Sequence, residues 1–384
     1  MLTIGSTLTI FLILGISSLA LFWAKRIGLP HTVLLVLIGI GLGLLSYTQT
    51  FSFFGEFTLT PALLFYLLLP TLIFESAYNI NARRMVEDAP IILILSIIGL
   101  IVSTVVIASG LYYLLALFGI SIPFMIALLF GALISATDPV AVLALFKEYG
   151  APRRLSLIFE GESLFNDATA VALFLILLEV ARFGYHGFDT VIEGVATFTS
   201  MLVGGVIFGI LVGGIFAKVV GWSRENEIAS ITLTIVLAHI TFIMAELLSH
   251  HMVIGGFHIL LSPIIATTVA ALLMGNYGRS KIHPRAEEFV EKLWGQLAFW
   301  ANSLVFILIG VLFVDIPSLS REMIGVVLLT IVVVAIARAI SIYPVVGVFN
   351  LFTKKETRVP MSWQHLLSWG SLRGALAITM VFLI

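Results

Sequence analysis

The sequence predicts an all-α polytopic membrane protein with twelve transmembrane segments, on three observations. Hydrophobic residues make up 60% of the 384 residues and charged residues only 11%, and the mean hydropathy is +1.16. Apolar runs long enough to cross a hydrocarbon core of about 30 Å recur along the whole chain. Basic residues concentrate in alternate loops between those runs. A soluble domain has roughly a quarter of its residues charged, so this composition excludes a soluble fold.

The first apolar run is interpreted as a retained helix. It is long, it ends in Lys25-Arg26, and it lacks the basic start and small-residue cleavage site of a signal peptide. Eleven further runs follow it with short loops between them. The twelve predicted segments lie near residues 3–24, 29–46, 59–80, 90–118, 122–146, 153–180, 190–219, 227–249, 254–276, 293–314, 322–350 and 361–384.

The basic residues of the loops predict how the chain is oriented. Even-numbered loops contain only Arg182 and Arg321, whereas the odd-numbered loops contain fifteen Lys and Arg residues. Basic residues favour cytoplasmic loops, so we expect the odd loops to be cytoplasmic and the N-terminus to lie outside. The fifteen are Lys25, Arg26, Arg83, Arg84, Lys147, Arg153, Arg154, Lys218, Arg224, Arg279, Lys281, Arg285, Lys354, Lys355 and Arg358.

Charged residues inside the segments indicate the function. A charge at the bilayer centre costs several kcal/mol or more, so such residues usually serve transport. Segment six contains three carboxylates within two helical turns, Glu160, Glu162 and Asp167, and Glu75, Asp138 and Glu246 lie inside other segments. The chain has no cysteine, which excludes disulfides and thiolate metal sites. The pattern predicts a site that handles a cation, a proton or both.

Two segments have signals of interrupted helices. Pro139 follows Asp138 in segment five and should break or kink that helix. Segment twelve has glycines at 370 and 374 on either side of Arg373. The two segments cross the membrane in opposite directions, and paired interrupted helices of this kind are typical of inverted-repeat transporters. At 1.5 Å per residue, Asp138, Asp167 and Arg373 should all lie near the midplane.

Spacing on segment six sorts its polar residues into two neighbouring stripes. Glu160, Ser163 and Asp167 share one stripe, and Glu162 and Asn166 share the other. Arg373 is one of two deep basic residues, the other being Arg338, and it is the candidate partner for Glu162. The interpretation of that pair is structural, whereas Asp167 is interpreted as functional.

Taken together, these residues resemble bacterial NhaP-type sodium/proton antiporters of the monovalent cation:proton antiporter-1 family. The resemblance covers essentially the whole chain, and its two acidic motifs are specific. It implies an inverted-repeat fold of the NhaA/NhaP kind, in which interrupted helices cross near the midplane. The motifs are Thr137-Asp138-Pro139, the Glu160–Asp167 stretch, the Ala301–Gly310 stretch and the Leu372–Ala375 stretch.

The resemblance also implies residue roles. Asp167 would be the essential carboxylate, with Asn166 beside it. Asp138, the main chain at Thr137 and the hydroxyl of Ser163 would help to bind Na⁺. Three further residues would support this site: Glu75, and the structural pair of Glu162 with Arg373. Members with Asn-Asp at 166–167, as here, are electroneutral as a rule.

For the domain organisation, we expect a single transmembrane transporter domain over residues 1–384. The resemblance implies an ion-binding bundle that includes about 59–180 and 322–384, and a dimerisation part that includes about 1–46 and 190–276. It also implies a thirteenth helix, which the 384 residues do not contain, and a homodimer in the bacterial inner membrane.

The expected function is secondary active transport, in which a monovalent cation is exchanged for H⁺ by competition at one buried carboxylate. Sodium, lithium and potassium stay open, because oxygen ligands suit all three. Two alternatives also stay open: a proton-coupled carrier of another solute, and an inactive or truncated membrane remnant. We expect no enzyme activity and no cofactor, only transported Na⁺ and H⁺, and no nucleic-acid partner.

Overall fold

In a computed structural model, the chain folds into helices that follow the predicted segments closely. The structure describes residues 3–55, 60–223, 225–251, 253–254, 257–258, 260–314, 321–370 and 373–381. The helices are α1 (Ile4–Ile27), α2 (His31–Ser46), α3 (Pro61–Tyr78), α4 (Ala82–Glu87), α5 (Ala89–Leu117), α6 (Phe124–Ser135), α7 (Val140–Tyr149), α8 (Arg153–Phe183), α9 (Phe188–Trp222), α10 (Glu227–His251), α11 (Pro263–Leu273), α12 (Pro284–Val314), α13 (Arg321–Phe352), α14 (Met361–Trp369) and α15 (Ala375–Val381).

The described part of the chain contains eight helices long and apolar enough to cross a membrane: α1, α3, α5, α8, α9, α10, α12 and α13. Helices α2 and α6 are apolar but shorter. Single π-helical stretches lie within α3, within α5 and directly after α11. The prediction of an all-α membrane protein is confirmed, and segments five and twelve are each built from two short helices, α6 with α7 and α14 with α15.

Segment nine departs from the prediction at its start. A helix was expected from about residue 254, but a two-strand antiparallel hairpin, β1 (Val253–Ile254) and β2 (Phe257–His258), precedes α11. Helix α11 begins only at Pro263, because proline suits the first helical turn and the Ser262 hydroxyl accepts a hydrogen bond from the Ile265 amide at 3.3 Å. Hydropathy does not distinguish an apolar extended stretch from an apolar helix.

The chain divides into two compact units. The smaller contains Met1–Leu72 and Lys292–Ile324, and the larger contains Ile73–Glu291 and Gly325–Ile384. In the smaller unit α2 packs against α12 with the two backbones in contact, since a Cβ on Gly39 would collide with the carbonyl oxygen of Ile307. A Cβ on Gly310 would likewise collide with the carbonyl oxygen of Val36.

The larger unit is organised around α8. Its principal core cluster joins α8 to α5, α13 and α14, and includes the buried residues Ile91, Leu95, Leu155, Ile158, Phe159, Ile342, Val346, Val359 and Leu367. A second tight contact brings α9 onto α11, where Gly209 lies against the Ala266 carbonyl and Gly213 against Ala270. Helix α8 therefore lies in the core, with its polar residues facing the neighbouring segments.

Residues 190–276 lie in the larger unit with α5 and α8. They are predicted to form a dimerisation part together with 1–46, and that prediction concerns function rather than packing within one chain. Helix α11 contacts both α8 and α9, which explains this grouping. The functional roles given to the two parts stay predictions.

Candidate cation and proton site

The break in segment five forms the centre of the site. Helix α6 ends at Ser135 and α7 begins at Val140, and the backbone of Ala136 is extended, with φ −60° and ψ 138°. Pro139 has no amide proton to continue the helix. Asp138 Oδ1 accepts a hydrogen bond from the Val140 amide at 2.9 Å, so this carboxylate satisfies one of the amides at the start of α7 that have no partner within the helix. The predicted break beside Asp138 is confirmed.

Helix α8 holds the extended stretch at Thr137. The Ser163 hydroxyl donates to the Thr137 carbonyl oxygen at 2.8 Å, and the Asn166 amide Nδ2 donates to Thr137 Oγ1 at 2.7 Å. The Thr137 amide completes the arrangement by donating to Asn166 Oδ1 at 3.5 Å. Thr137 and Asn166 are buried. The polar groups of Thr137 are therefore oriented by two side chains one turn apart on α8.

Asp167 lies next to Asn166 in the chain and interacts electrostatically with Asp138. Both residues are half-buried in the larger unit. Within the described residues, neither is in a salt bridge with a basic side chain. Two neighbouring carboxylates without a basic partner, beside a freed backbone and hydroxyl groups, form an oxygen-rich arrangement that suits a hard cation.

The second broken segment touches the first. Helix α14 ends at Trp369 and α15 begins at Ala375; residues 371 and 372 between them lie outside the described part of the chain. Arg373 Nη1 donates to the carbonyl oxygens of Ser135 at 3.0 Å and Ala136 at 3.1 Å. A Cβ added to Gly374 would lie 3.0 Å from the Asp138 Cβ, so a side chain at this position would crowd Asp138.

Glu162 and Arg373 interact electrostatically, but among the described residues the direct salt bridge of Glu162 is with Arg338 and not with the predicted Arg373. Glu162 Oε1 instead accepts from Arg338 Nη1 at 2.6 Å, with side-chain exposures of 2% and 7%. Arg338 Nε and Nη2 also donate to the Leu367 carbonyl oxygen at 3.2 and 3.1 Å. Glu162 binds Arg338 for a geometric reason. Arg373 is hydrogen-bonded to carbonyl oxygens at the end of α6, whereas Arg338 extends from α13 to α8.

The two arginines bind equivalent places in the two broken segments, the end of α6 and the end of α14. The last carbonyls of a helix have no partner within that helix and carry partial negative charge. Arg373 satisfies such carbonyls at the end of α6, and Arg338 satisfies one in the last turn of α14. The sequence indicates that Arg338 lies deep inside a segment, but it does not indicate that Arg338 binds at the second break. The available signal was that Arg338 and Arg373 are the two arginines inside the predicted segments.

Glu75 belongs to a different group of charges from the two aspartates. It lies on α3, is partly exposed, and interacts electrostatically with Lys147 of α7. Glu160 of α8 interacts with both Lys147 and Glu75. The structure thus brings Asp138, Asp167, Ser163, Thr137, Asn166 and Arg373 together at the crossing, and places Glu75 with Glu160 and Lys147.

Comparison with known proteins agrees with this geometry. A family profile described as "Sodium/hydrogen exchanger, transmembrane" matches residues 9–384. The chain is 35% identical over 376 residues to the Na(+)/H(+) antiporter ApNhaP of Aphanothece halophytica, covering 96% of this chain and 65% of that protein. It is 32% identical over 314 residues to the Na(+)/H(+) antiporter NhaP of Pseudomonas aeruginosa, covering 81% of this chain and 70% of that protein.

The fold matches a solved structure. The sodium proton antiporter MjNhaP1 from Methanocaldococcus jannaschii superposes with a TM-score of 0.74 at 17% identity, covering 97% of this chain and 84% of that one. Several of the curated relatives are longer: the chain spans 62% to 65% of the length of three of them. Because the family profile matches nearly the whole chain, this integral membrane protein belongs to the transmembrane sodium/hydrogen exchanger family.

Proposed function

We propose that the chain is a secondary active transporter that exchanges a monovalent cation, Na⁺ in the first instance, for H⁺. The observation that carries the proposal is the crossing of two interrupted segments at Asp138 and Asp167, two carboxylates without a basic partner among the described side chains. The names of the relatives support the same exchange, since those proteins are sodium/proton antiporters.

The proposed mechanism is competition at Asp167. Its carboxylate binds either the cation or a proton, and a carboxylate that has accepted a proton no longer attracts a cation. The protein changes between inward-facing and outward-facing states only when one of the two is bound. Exchange is then obligatory, because the empty site does not reorient, so a cation carried in one direction is followed by a proton carried in the other.

The neighbouring oxygen atoms complete the cation site. Asp138 supplies a second carboxylate, while Ser163 and the main chain at Thr137 supply neutral oxygens. Ser163 uses its proton in the bond to the Thr137 carbonyl, so the lone pairs of its hydroxyl stay available for a cation. Asn166 orients Thr137 through both its amide nitrogen and its amide oxygen.

Exchange of one cation for one proton is what the resemblance to members with Asn-Asp at 166–167 implies, and Asn166 gives it a physical reason. Asn166 stands beside Asp167, and an amide side chain does not take up a proton in this pH range, so the pair offers one proton-binding group where two aspartates would offer two. The proposed exchange therefore carries no net charge. We further propose a homodimer in the bacterial inner membrane with the N-terminus outside, on the loop asymmetry and the family resemblance.

The test is sodium-driven proton flux in proteoliposomes with Asp167→Asn. This change keeps the size of the side chain and removes the group that both ions require, so we expect flux to fall to the level of empty vesicles while the protein still inserts. Asp189→Asn is the matched control, because Asp189 is an exposed carboxylate at the start of α9, and it should transport normally.

The same assay separates the alternatives. Substantial sodium-dependent flux in Asp167→Asn would overturn the single-carboxylate mechanism. Absence of flux in the unmodified protein with Na⁺, Li⁺ and K⁺ would favour an inactive remnant, or a carrier whose solute is something else.

A further inference from the structure

The start of α8 contains a cluster of contacts that the transport mechanism does not use. Arg154, the second residue of α8, forms a salt bridge with Asp88, its Nε lying 2.8 Å from Asp88 Oδ1. The side chains are 27% and 13% exposed. Asp88 stands directly before α5, so this ion pair joins the cytoplasmic ends predicted for α5 and α8.

Arg154 also holds the loop that leads into α14. Its Nη2 donates to the Thr357 carbonyl oxygen at 2.7 Å and its Nη1 to the Arg358 carbonyl oxygen at 3.4 Å. Its guanidinium carbon lies 5.8 Å from the ring centre of Trp363 on α14, within the range of a cation–π contact. One planar guanidinium thus contacts a carboxylate, two carbonyls and an aromatic ring. A lysine ammonium is a compact point charge without the planar fork of donors, so it cannot make all of these contacts at once.

The far side of the same loop is fixed to α13. Asn350 Oδ1 accepts from the Val359 amide at 2.9 Å, and Asn350 Nδ2 donates to the Val359 carbonyl oxygen at 2.9 Å. Gln364 on α14 donates to that same carbonyl at 3.0 Å. The loop therefore has a defined path from α13 through Arg154 to the start of α14.

Helix α14 is consequently attached to α8 at both ends. At its start, Arg154 binds the two carbonyls that precede it. At its end, Arg338 joins the Leu367 carbonyl to Glu162 of α8. Beyond α14 come Arg373, which contacts the end of α6, and Gly374, which lies against Asp138. The two residues that touch the cation site therefore follow α14 closely in the chain.

We propose that Arg154 is a positioning residue for the ion site: it fixes the start of α14 on α8 and thereby sets the placement of Arg373 and Gly374 beside Asp138. The proposal rests on the proposed cation/proton exchange. It differs from a general stabilising role because it requires that cation affinity, and not only the amount of folded protein, depends on Arg154.

The experiment compares Arg154→Gln with Arg153→Gln in sodium-driven proton flux, as initial rates per amount of protein that elutes as a single species in size-exclusion chromatography. The two variants lose the same charge at adjacent positions, but Arg153 is exposed. We expect Arg154→Gln to raise the apparent Na⁺ KM about tenfold, the factor that corresponds to the upper end of the range for an ordinary hydrogen bond. Arg153→Gln should keep the KM of the unmodified protein.

Arg154→Lys serves as the conservative variant, and as the deciding variant where Arg154→Gln does not fold. It retains the positive charge and the attraction to Asp88 but loses the paired hydrogen bonds to the Thr357 and Arg358 carbonyls. Its KM should therefore lie between those of the unmodified protein and Arg154→Gln. If every Arg154 variant that folds has the KM of Arg153→Gln, with a change only in protein yield or maximal rate, the positioning role is wrong. Absence of flux in the unmodified protein would instead overturn the exchange function itself.

Discussion

The buried pair of Glu162 and Arg338 gives the sharpest test of the packing between α8, α13 and α14. Replacing Arg338 with Met removes three hydrogen bonds, one to Glu162 at 2.6 Å and two to the Leu367 carbonyl. It also leaves the Glu162 carboxylate without a partner, at 2% exposure. Breaking a buried ion pair from one side costs roughly 3–5 kcal/mol, so the single variant should be severely destabilised.

The double variant Arg338→Met with Glu162→Gln should be more stable than the sum of the two single changes implies. Gln leaves no unpaired charge, so most of the penalty of the single arginine variant disappears. We expect a coupling energy of about 2–3 kcal/mol, which is the upper part of the range for contacting residues. The two hydrogen bonds from Arg338 to the Leu367 carbonyl are lost in both variants that lack Arg338, so this part of the cost cancels from the coupling.

The assay is unfolding in mixed micelles with increasing SDS, followed by tryptophan fluorescence, for the four proteins of the cycle. A second cycle with Glu162→Gln and Arg373→Met is the comparison, because Arg373 donates to Ser135 and Ala136 and not to Glu162. Its coupling should be clearly smaller. Equal coupling in the two cycles, or additive losses in the Arg338 cycle, would refute the partner assignment.

Two further predictions concern topology and kinetics. A single cysteine that replaces Arg153 should react with an impermeant maleimide only from the cytoplasmic side, because basic loop residues favour that side. The chain has no native cysteine to interfere. Labelling from outside would contradict the predicted orientation. If Na⁺ and H⁺ share Asp167, the apparent Na⁺ KM should rise as pH falls, by at most about tenfold per pH unit, and initial rates should not respond to a potassium–valinomycin potential. A KM independent of pH, or a rate that follows voltage, would exclude this mechanism.

Much of the architecture could be predicted because its signals are local. Long apolar runs identify membrane helices from composition alone, and the proline after Asp138 marks a break that the structure places between Ser135 and Val140. The face shared by Ser163 and Asp167 follows from helical periodicity, as does the neighbouring position of Asn166. These features depend on residues within one or two turns of each other.

What could not be predicted depends on contacts between distant parts of the chain. Arg338 and Arg373 both lie deep in segments, and spacing within each helix does not reveal which of them reaches Glu162. The grouping of residues 190–276 with α8 depends on α11 contacting both α8 and α9. The contacts of Arg154 with Thr357 and Arg358 span about two hundred residues, and a basic residue in a loop is ordinarily interpreted as solvated.

The placement of the arginines determines the net charge where the two interrupted segments cross. The charges of Glu162 and Arg338 cancel, so the charges that remain there are those of Asp138, Asp167 and Arg373. With both aspartates ionised this region has one excess negative charge, and a net charge is strongly disfavoured in a medium of low dielectric constant. One bound Na⁺ or one bound H⁺ neutralises it. Under the proposed exchange, the empty protein is therefore the charged species, and its reorientation is slowed by the bilayer interior without any mechanical gate.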